Sequence, residues 1–424
     1  MAGRLPTAVR VLILARAVNQ LGGFSLAFLT VLLADDFGAG LTLAGVVSAA
    51  FGLATIPSRL LGGRLADGWG RRRTIVAGLL GCAAAQLGLA AAPDLLTATL
   101  CAILLGLAFE LFEPPSQSLI ADAVPARDRA SAFGLLTTAI AVGSLGAGLI
   151  ADVVGRWSLR WLFVADAATG IACAMIVLIA LAPDAPDAPD APDAPDAPDA
   201  PGRRGAERPP VPASAPWRDR ALLAVTASGT VFALISMLVL VALPISLGEV
   251  GLRPSDAGLI MAVSTATLVL VRPLLRTALL SDLSHPATFI LGYTLMGAGL
   301  LGYAFAHTLP TLGAPTALYS VGNLLVMGRS FALVSELAPP AASARYLAVY
   351  GLSWGVATLL APLAATWLIG VSGVASLWAV TAGLCGVMVV VQPGLARRVG
   401  GGGDDLGVIH STNAVAERYD AVSI

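Results

Sequence analysis

The sequence predicts an all-α polytopic membrane protein, with twelve transmembrane helices in two pseudo-symmetric six-helix bundles. Three observations lead there. The 424 residues are 57% hydrophobic and only 12% charged, with a mean hydropathy of +0.84. A soluble domain carries about 25% charged residues, and no water-soluble fold of this length hides so much apolar surface. Next, 12 apolar runs each approach or exceed the roughly 20 residues that cross a bilayer core as a helix. Last, the halves echo one another. Asp67 follows span 2 and Asp122 follows span 4, with Pro125 three residues on; Asp282 follows span 8 and Glu336 follows span 10, with Pro339 three residues on. The two acidic pairs stand 55 and 54 positions apart, the trace of an internal duplication.

In chain order the spans lie near 9–34, 42–63, 74–92, 95–120, 130–154 and 159–182, then 219–247, 255–279, 286–307, 310–335, 345–370 and 373–393. Glu113, Pro114 and Pro115 interrupt the fourth, which a membrane tolerates where neighbours or water satisfy the freed carbonyls. The division is therefore 1–182 for the first bundle, 183–217 for a linker, 218–393 for the second bundle and 394–424 for a disordered tail. The linker repeats Ala-Pro-Asp. Alternating proline forbids helix and favours extended polyproline II, so Pro183–Pro201 reaches about 60 Å as a solvated thread. Twelve loop arginines fall on the N-terminal side of the membrane, against Arg156, Arg160 and Arg253 on the other, which places both termini in the cytoplasm.

Several classes drop out. A net charge of −1 argues against a nucleic-acid partner. The four cysteines lie singly in apolar runs, and His285 and His307 fall at opposite membrane faces, so neither a disulfide framework nor a metal site is expected. There is no G-x-x-x-x-G-K-[ST] loop, no nucleophile constellation for an enzyme and no cofactor motif. The first apolar run is too long for the core of a signal peptide.

Between spans 2 and 3 the chain reads GGRLADGWGRRRT. Gly68 and Gly70 suit a turn with positive φ, and Gly62 and Gly63 allow close helix approach. Asp67 needs a cation, with Arg71 the near choice, while Arg72 and Arg73 enforce topology.

This loop, in a chain of six plus six spans with a long middle linker, resembles the signature G-x-L-A-D-R-x-G-R-[KR] of the major facilitator superfamily. Gly63, Leu65, Ala66, Asp67, Gly70, Arg71 and Arg72 fit it, and Gly68 replaces the usual arginine. The segment IADAVPARDRASAFGL also resembles that family's connection between spans 4 and 5. The resemblance implies a secondary transporter working by alternating access, similar to bacterial efflux members. It implies a small-molecule substrate, a proton as coupling ion, a monomer in the cell membrane of a bacterium, and Asp67, Arg71 and Asp122 as a latch between the halves. Uptake of a metabolite and a non-transporting sensor are the alternatives. Two stretches depart from the proton-coupled exporters: Ala102 stands where they often carry arginine, and GSLGAGLIAD lacks their Gly-Pro. Gly143, Gly146 and Gly148 there still permit close packing.

In that family spans 1, 4, 7 and 10 line the cavity. Ionisable groups at membrane depth are costly and functional by default. Glu110, Glu113 and Gln117 share one helical stripe of span 4, with Glu113 about 13 Å and Glu110 about 18 Å inward of Asp122. Arg16, Asn19 and Gln20 form a polar patch on span 1, with Arg16 about 10 Å deep. Arg16 is expected to pair with Glu113, leaving Glu110 desolvated as a proton carrier. Thr230, Tyr319 and Asn323 are the neutral choices for the cavity wall. Arg59 and Arg329 are expected to snorkel, and Asp166 to be structural.

Overall fold

The computed structural model describes residues 6–124, 129–181, 216–271, 284–338 and 343–401. Pro125, Asp282, Pro339 and nearly all of the linker lie outside them; Asp122 belongs to a helix by its backbone, and its side chain lies outside the described residues.

Among the described residues all regular structure is helical. The first half comprises α1 (Thr7–Gln20), α2 (Ser25–Asp35), α3 (Gly40–Trp69), α4 (Arg71–Ala91), α5 (Leu95–Phe109), α6 (Glu113–Ala123), α7 (Arg129–Gly155) and α8 (Leu159–Ala180). The second comprises α9 (Arg220–Glu249), α10 (Ala257–Val271), α11 (His285–Phe305), α12 (Leu309–Leu337) and α13 (Ser343–Gly401). Helix α13 is two crossings joined at Gly373, whose φ of 79° is open only to a residue without a Cβ. Among the described residues ten stretches are long and apolar enough to cross a membrane, one of them the 47-residue Val349–Leu395. Counting that one twice and adding the α1–α2 pair gives the twelve crossings expected.

Two expected spans are broken. Span 1 divides into α1 and α2 around Gly22, where a Cβ would stand 2.1 Å from Thr169 Oγ1 and 2.6 Å from the Asp166 Cα. Span 4 divides into α5 and α6 because Pro114 and Pro115 open α6 and remove the N–H groups a continuous helix needs. The break is clasped by small residues: a Cβ on Gly62 would meet the Leu111 carbonyl oxygen at 2.5 Å, and one on Gly78 the Phe112 nitrogen at 3.1 Å.

The halves are not joined evenly. Toward the loops remote from the termini (the far end) one continuous core runs through both, including Phe28, Leu32, Phe51, Phe232, Ile235 and Trp378. Toward the end that carries the N-terminus (the near end) each half has a separate core, one around Val9, Leu12, Ile75 and Ile120, the other around Leu222, Val225 and Tyr346. The far-end seam depends on small residues. A Cβ on Gly148 of α7 would lie 2.4 Å from the Gly258 carbonyl oxygen of α10, and one on Gly258 equally close to that of Gly148. Gly45 and Gly52 of α3 pack as closely on Thr366 and Thr358 of α13. Among the described residues the halves thus share one core at the far end and keep separate cores at the near one.

The far-end loops of the first half are stapled by Arg160. Its guanidinium donates to Asp36 Oδ2 (2.8 Å) and to the Ala90 and Ala92 carbonyls, and stacks on Phe37. At the start of α5 the Asp94 carboxylate accepts the Thr97 N–H, which holds its carboxyl below the usual range. Hydrogen bonds to a charged group contribute about 1.5–3 kcal/mol each when buried. With Arg160 one-third exposed, Arg160→Ala is expected to cost about 1–2 kcal/mol in all. A thermal-unfolding midpoint unchanged in detergent would remove this role.

Candidate functional site

A cavity of about 760 Å³ lies between the halves. From the first half it is lined by Arg16, Asn19, Gln20, Arg59, Glu110, Glu113, Gln117 and Asp166; the facing wall is Leu240, Phe331, Leu347, Gly351 and Trp354. A second cavity of about 300 Å³ shares Gln20, Gly23 and Leu240 with the first and continues to the seam. Its walls include Phe24, Phe28, Met237, Tyr319 and Asn323.

The break in span 4 sets the polar geometry. Arg16 Nη2 lies 2.8 Å from Glu113 Oε2, and its guanidinium stacks on Phe112 at 4.9 Å. The other Glu113 oxygen accepts from Gln117 Nε2 at 2.9 Å, one turn along α6. A buried charge needs both an opposite charge and filled hydrogen-bonding positions, and Glu113 has both.

Glu110 departs from expectation. It sits in the break rather than on one stripe with Glu113 and Gln117, and its N–H donates to Ser58 Oγ of α3 at 3.0 Å. Nor is it left without a cation: Arg59 Nη1 lies 3.5 Å from Glu110 Oε2. Arg59 was expected to snorkel. Its place eight residues before Asp67, about 12 Å along a helix, was the signal for a cavity position. The Arg59 side chain is 60% exposed and the contact long, so this pair is looser than Arg16–Glu113. Asp166, read as structural, also lines the large cavity.

The neutral candidates divide. Asn323 Nδ2 donates to Ser236 Oγ at 2.9 Å and to Tyr319 Oη at 3.2 Å, which fixes both side chains in the wall of the smaller cavity. Thr230 does not line either cavity. It donates to the Thr226 carbonyl and to Ser353 Oγ, tying α9 to α13.

The loop GGRLADGWGRRRT is shorter than expected, since α3 continues to Trp69 and α4 begins at Arg71. Gly70 makes the turn, with φ of 93°; Gly68 is helical, and a Cβ on Gly63 would meet open space, so neither serves the role expected of it. Asp67 is exposed at the near end and Arg71 half-buried. Arg72 donates to the Leu178 carbonyl of α8, so it anchors that helix end in addition to any effect on topology.

The Major Facilitator Superfamily model matches residues 12–241 and 225–399. The chain is 24% identical over 318 residues to the uncharacterized MFS-type transporter YhjO of Bacillus subtilis, covering 72% of each. It is 26% identical to the multidrug resistance protein MdtH of Aeromonas salmonicida, over 72% of this chain and 73% of that one. A Na(+), Li(+), K(+)/H(+) antiporter of Planococcus maritimus is 23% identical, over 79% and 83%. Among solved structures, an auto-inhibited POT family peptide transporter aligns with a TM-score of 0.73 at 16% identity, covering 93% of this chain and 97% of that one. A bacterial homologue of the lysosomal transporter Spinster aligns at 0.68 and 14%, covering 92% and 96%.

Proposed function

The chain belongs to the major facilitator superfamily, and on that premise we propose that this multi-pass membrane transporter is a proton-coupled exporter of an amphipathic small molecule. It works as a monomer in a bacterial plasma membrane, with both termini in the cytoplasm. The observation that carries the reading is Glu110: a carboxylate at the break of span 4, facing the cavity between the halves, with a long contact to a mostly exposed arginine. Such a group can exchange a cation for a proton, whereas Glu113 beside it is held by Arg16. Intramembrane acids on a transport path are the usual proton relays. The similarity to a multidrug resistance protein and to a cation/proton antiporter supports this reading over uptake.

The structure then corresponds to the cytoplasm-open state, and rocking of the halves about the cavity gives the other one. In that second state Asp67, Arg71 and Asp122 latch the near end.

Inverted vesicles loaded with a pH-sensitive dye test both parts. Substrate added to acidified vesicles releases protons if the exporter reading holds. Glu110→Gln is expected to abolish that release, and full proton release from the variant would remove Glu110 from the mechanism. Asp67→Asn, at matched expression, is expected to slow turnover about tenfold, as loss of about 1.4 kcal/mol from one state would. An unchanged rate would sink the latch.

A further inference from the structure

On the second-half wall of the smaller cavity the hydroxyl protons are committed to the protein itself. A hydroxyl carries one proton and two lone pairs. Ser236 donates to the Phe232 carbonyl and Thr265 to that of Met261. Thr316 and Ser320 each donate to the carbonyl one turn back, at Leu312 and Thr316. Ser264 then donates to Ser320 Oγ at 2.6 Å, and Tyr303 to Thr316 Oγ1 at 2.9 Å, because those two oxygens have no proton left to give.

Asn323 completes this wall. An amide fits a site in two orientations, and here Ser236 decides between them. Its oxygen can only accept, since its proton goes to Phe232, so the Asn323 nitrogen faces it at 2.9 Å. The same nitrogen reaches Tyr319 Oη at 3.2 Å, and Tyr319 also engages Ser236. Both amide protons are thereby used. Among the described residues no group donates to the other end of the amide, Asn323 Oδ1, and the side chain lines the cavity. The wall therefore offers acceptors and no donor. Gln20 and Ser144 come from the first half, so the lack of donors belongs to the second-half wall alone.

We propose that Asn323 is a specificity-determining residue, and that the solute is an amphipathic compound whose O–H or N–H group donates to Asn323 Oδ1 while its apolar body fills the 300 Å³ pocket. This specificity rests on the exporter reading above and names what its solute carries. A site with an acceptor to fill rejects the analogue that lacks the donor, because the oxygen is then left unpaired. A compound bearing acceptors alone meets a wall with no proton to give. Ser236 and Tyr319 are positioning residues, since they hold the amide with its oxygen outward.

The test uses two tritiated probes, estrone and estrone 3-methyl ether, with the full-length protein in detergent. They share one rigid apolar frame and differ by a single phenolic O–H. Estrone is expected to bind saturably and about tenfold more tightly than the ether. Asn323→Leu is expected to weaken estrone about tenfold and leave the ether unchanged, so that the two become equal. Misfolding cannot imitate that pattern, because it would lower both. No saturable estrone binding, equal affinities in the wild type, or a preference that survives in folded Asn323→Leu would each overturn the proposal. In the vesicle assay, equal proton release by the two probes would overturn it too, yet leave the exporter reading standing. Release by estrone alone supports both. Release by neither probe, nor by any amphiphile of a broad panel, would fell the exporter reading and the pocket's part in transport with it.

Discussion

Glu113→Gln destabilises the folded protein by about 3 kcal/mol, and adding Arg16→Gln restores most of the loss. Breaking a buried ion pair from one side costs about 3–5 kcal/mol because the remaining charge is stranded, whereas removing both partners is close to neutral. The lower figure applies here because Arg16 and Glu113 keep 13% and 22% of their side-chain surface open to the cavity. Stacking on Phe112 gives Arg16 some compensation. Thermal unfolding of the two single variants and the double variant in one detergent gives the cycle directly. Additive losses would mean that the pair is not a unit, and that each residue is held by other neighbours. The double variant also separates stability from mechanism: it is expected to fold and still release protons, because Glu110 is untouched.

Gly148→Ala is expected to shift the balance between the two states by about 5- to 150-fold toward the one open at the far end. The added Cβ would stand 2.4 Å from the Gly258 carbonyl oxygen and 2.8 Å from the Ala262 nitrogen. Both are backbone atoms on a facing helix, so no side chain can swing away. Overpacking of this kind costs about 1–3 kcal/mol, and the cost falls only on the state in which α7 and α10 touch. Spin labels on the loops near Phe37 and Val250 report the far-end separation, which lengthens in the variant. Gly146→Ala in α7 is the comparison. Its Cβ would meet a Leu21 methyl at 2.5 Å, the end of a flexible side chain within the same half. Equal distance distributions for wild type and Gly148→Ala would show that the seam gives way elsewhere.

The crossings were legible in the sequence because membrane helices announce themselves by length and by the scarcity of charge. The ion pair of Arg16 with Glu113 was accessible by the same logic, since two opposite charges at one depth on neighbouring helices have few other partners. What escaped depends on backbone detail. The proline pair was visible, but not that it turns span 4 into two helices and places Glu110 in the gap. Arg59 was misread because proximity to a helix end looks like snorkelling until the depth is counted, and its partner lies on another helix. Thr230 was misplaced because a hydroxyl facing a neighbouring helix and one facing a cavity share the same periodicity. Gly63 and Gly68 belong to a motif, and a motif does not say which of its glycines is pressed against a backbone.

The one-sided distribution of charge in the cavity has a consequence for how such a protein can diversify. Among the described residues lining the cavities, the charged side chains belong to the first half, while the second supplies rings, hydroxyls and an amide. Mutations at Trp354, Phe331 or Asn323 can then alter which compounds are accepted without disturbing the exchange of charge. On the exporter reading proposed above, a hybrid carrying the second half of a relative should inherit that relative's cargo and keep the proton coupling of this chain's first half. Cargo and fuel would be separately heritable traits of a single polypeptide.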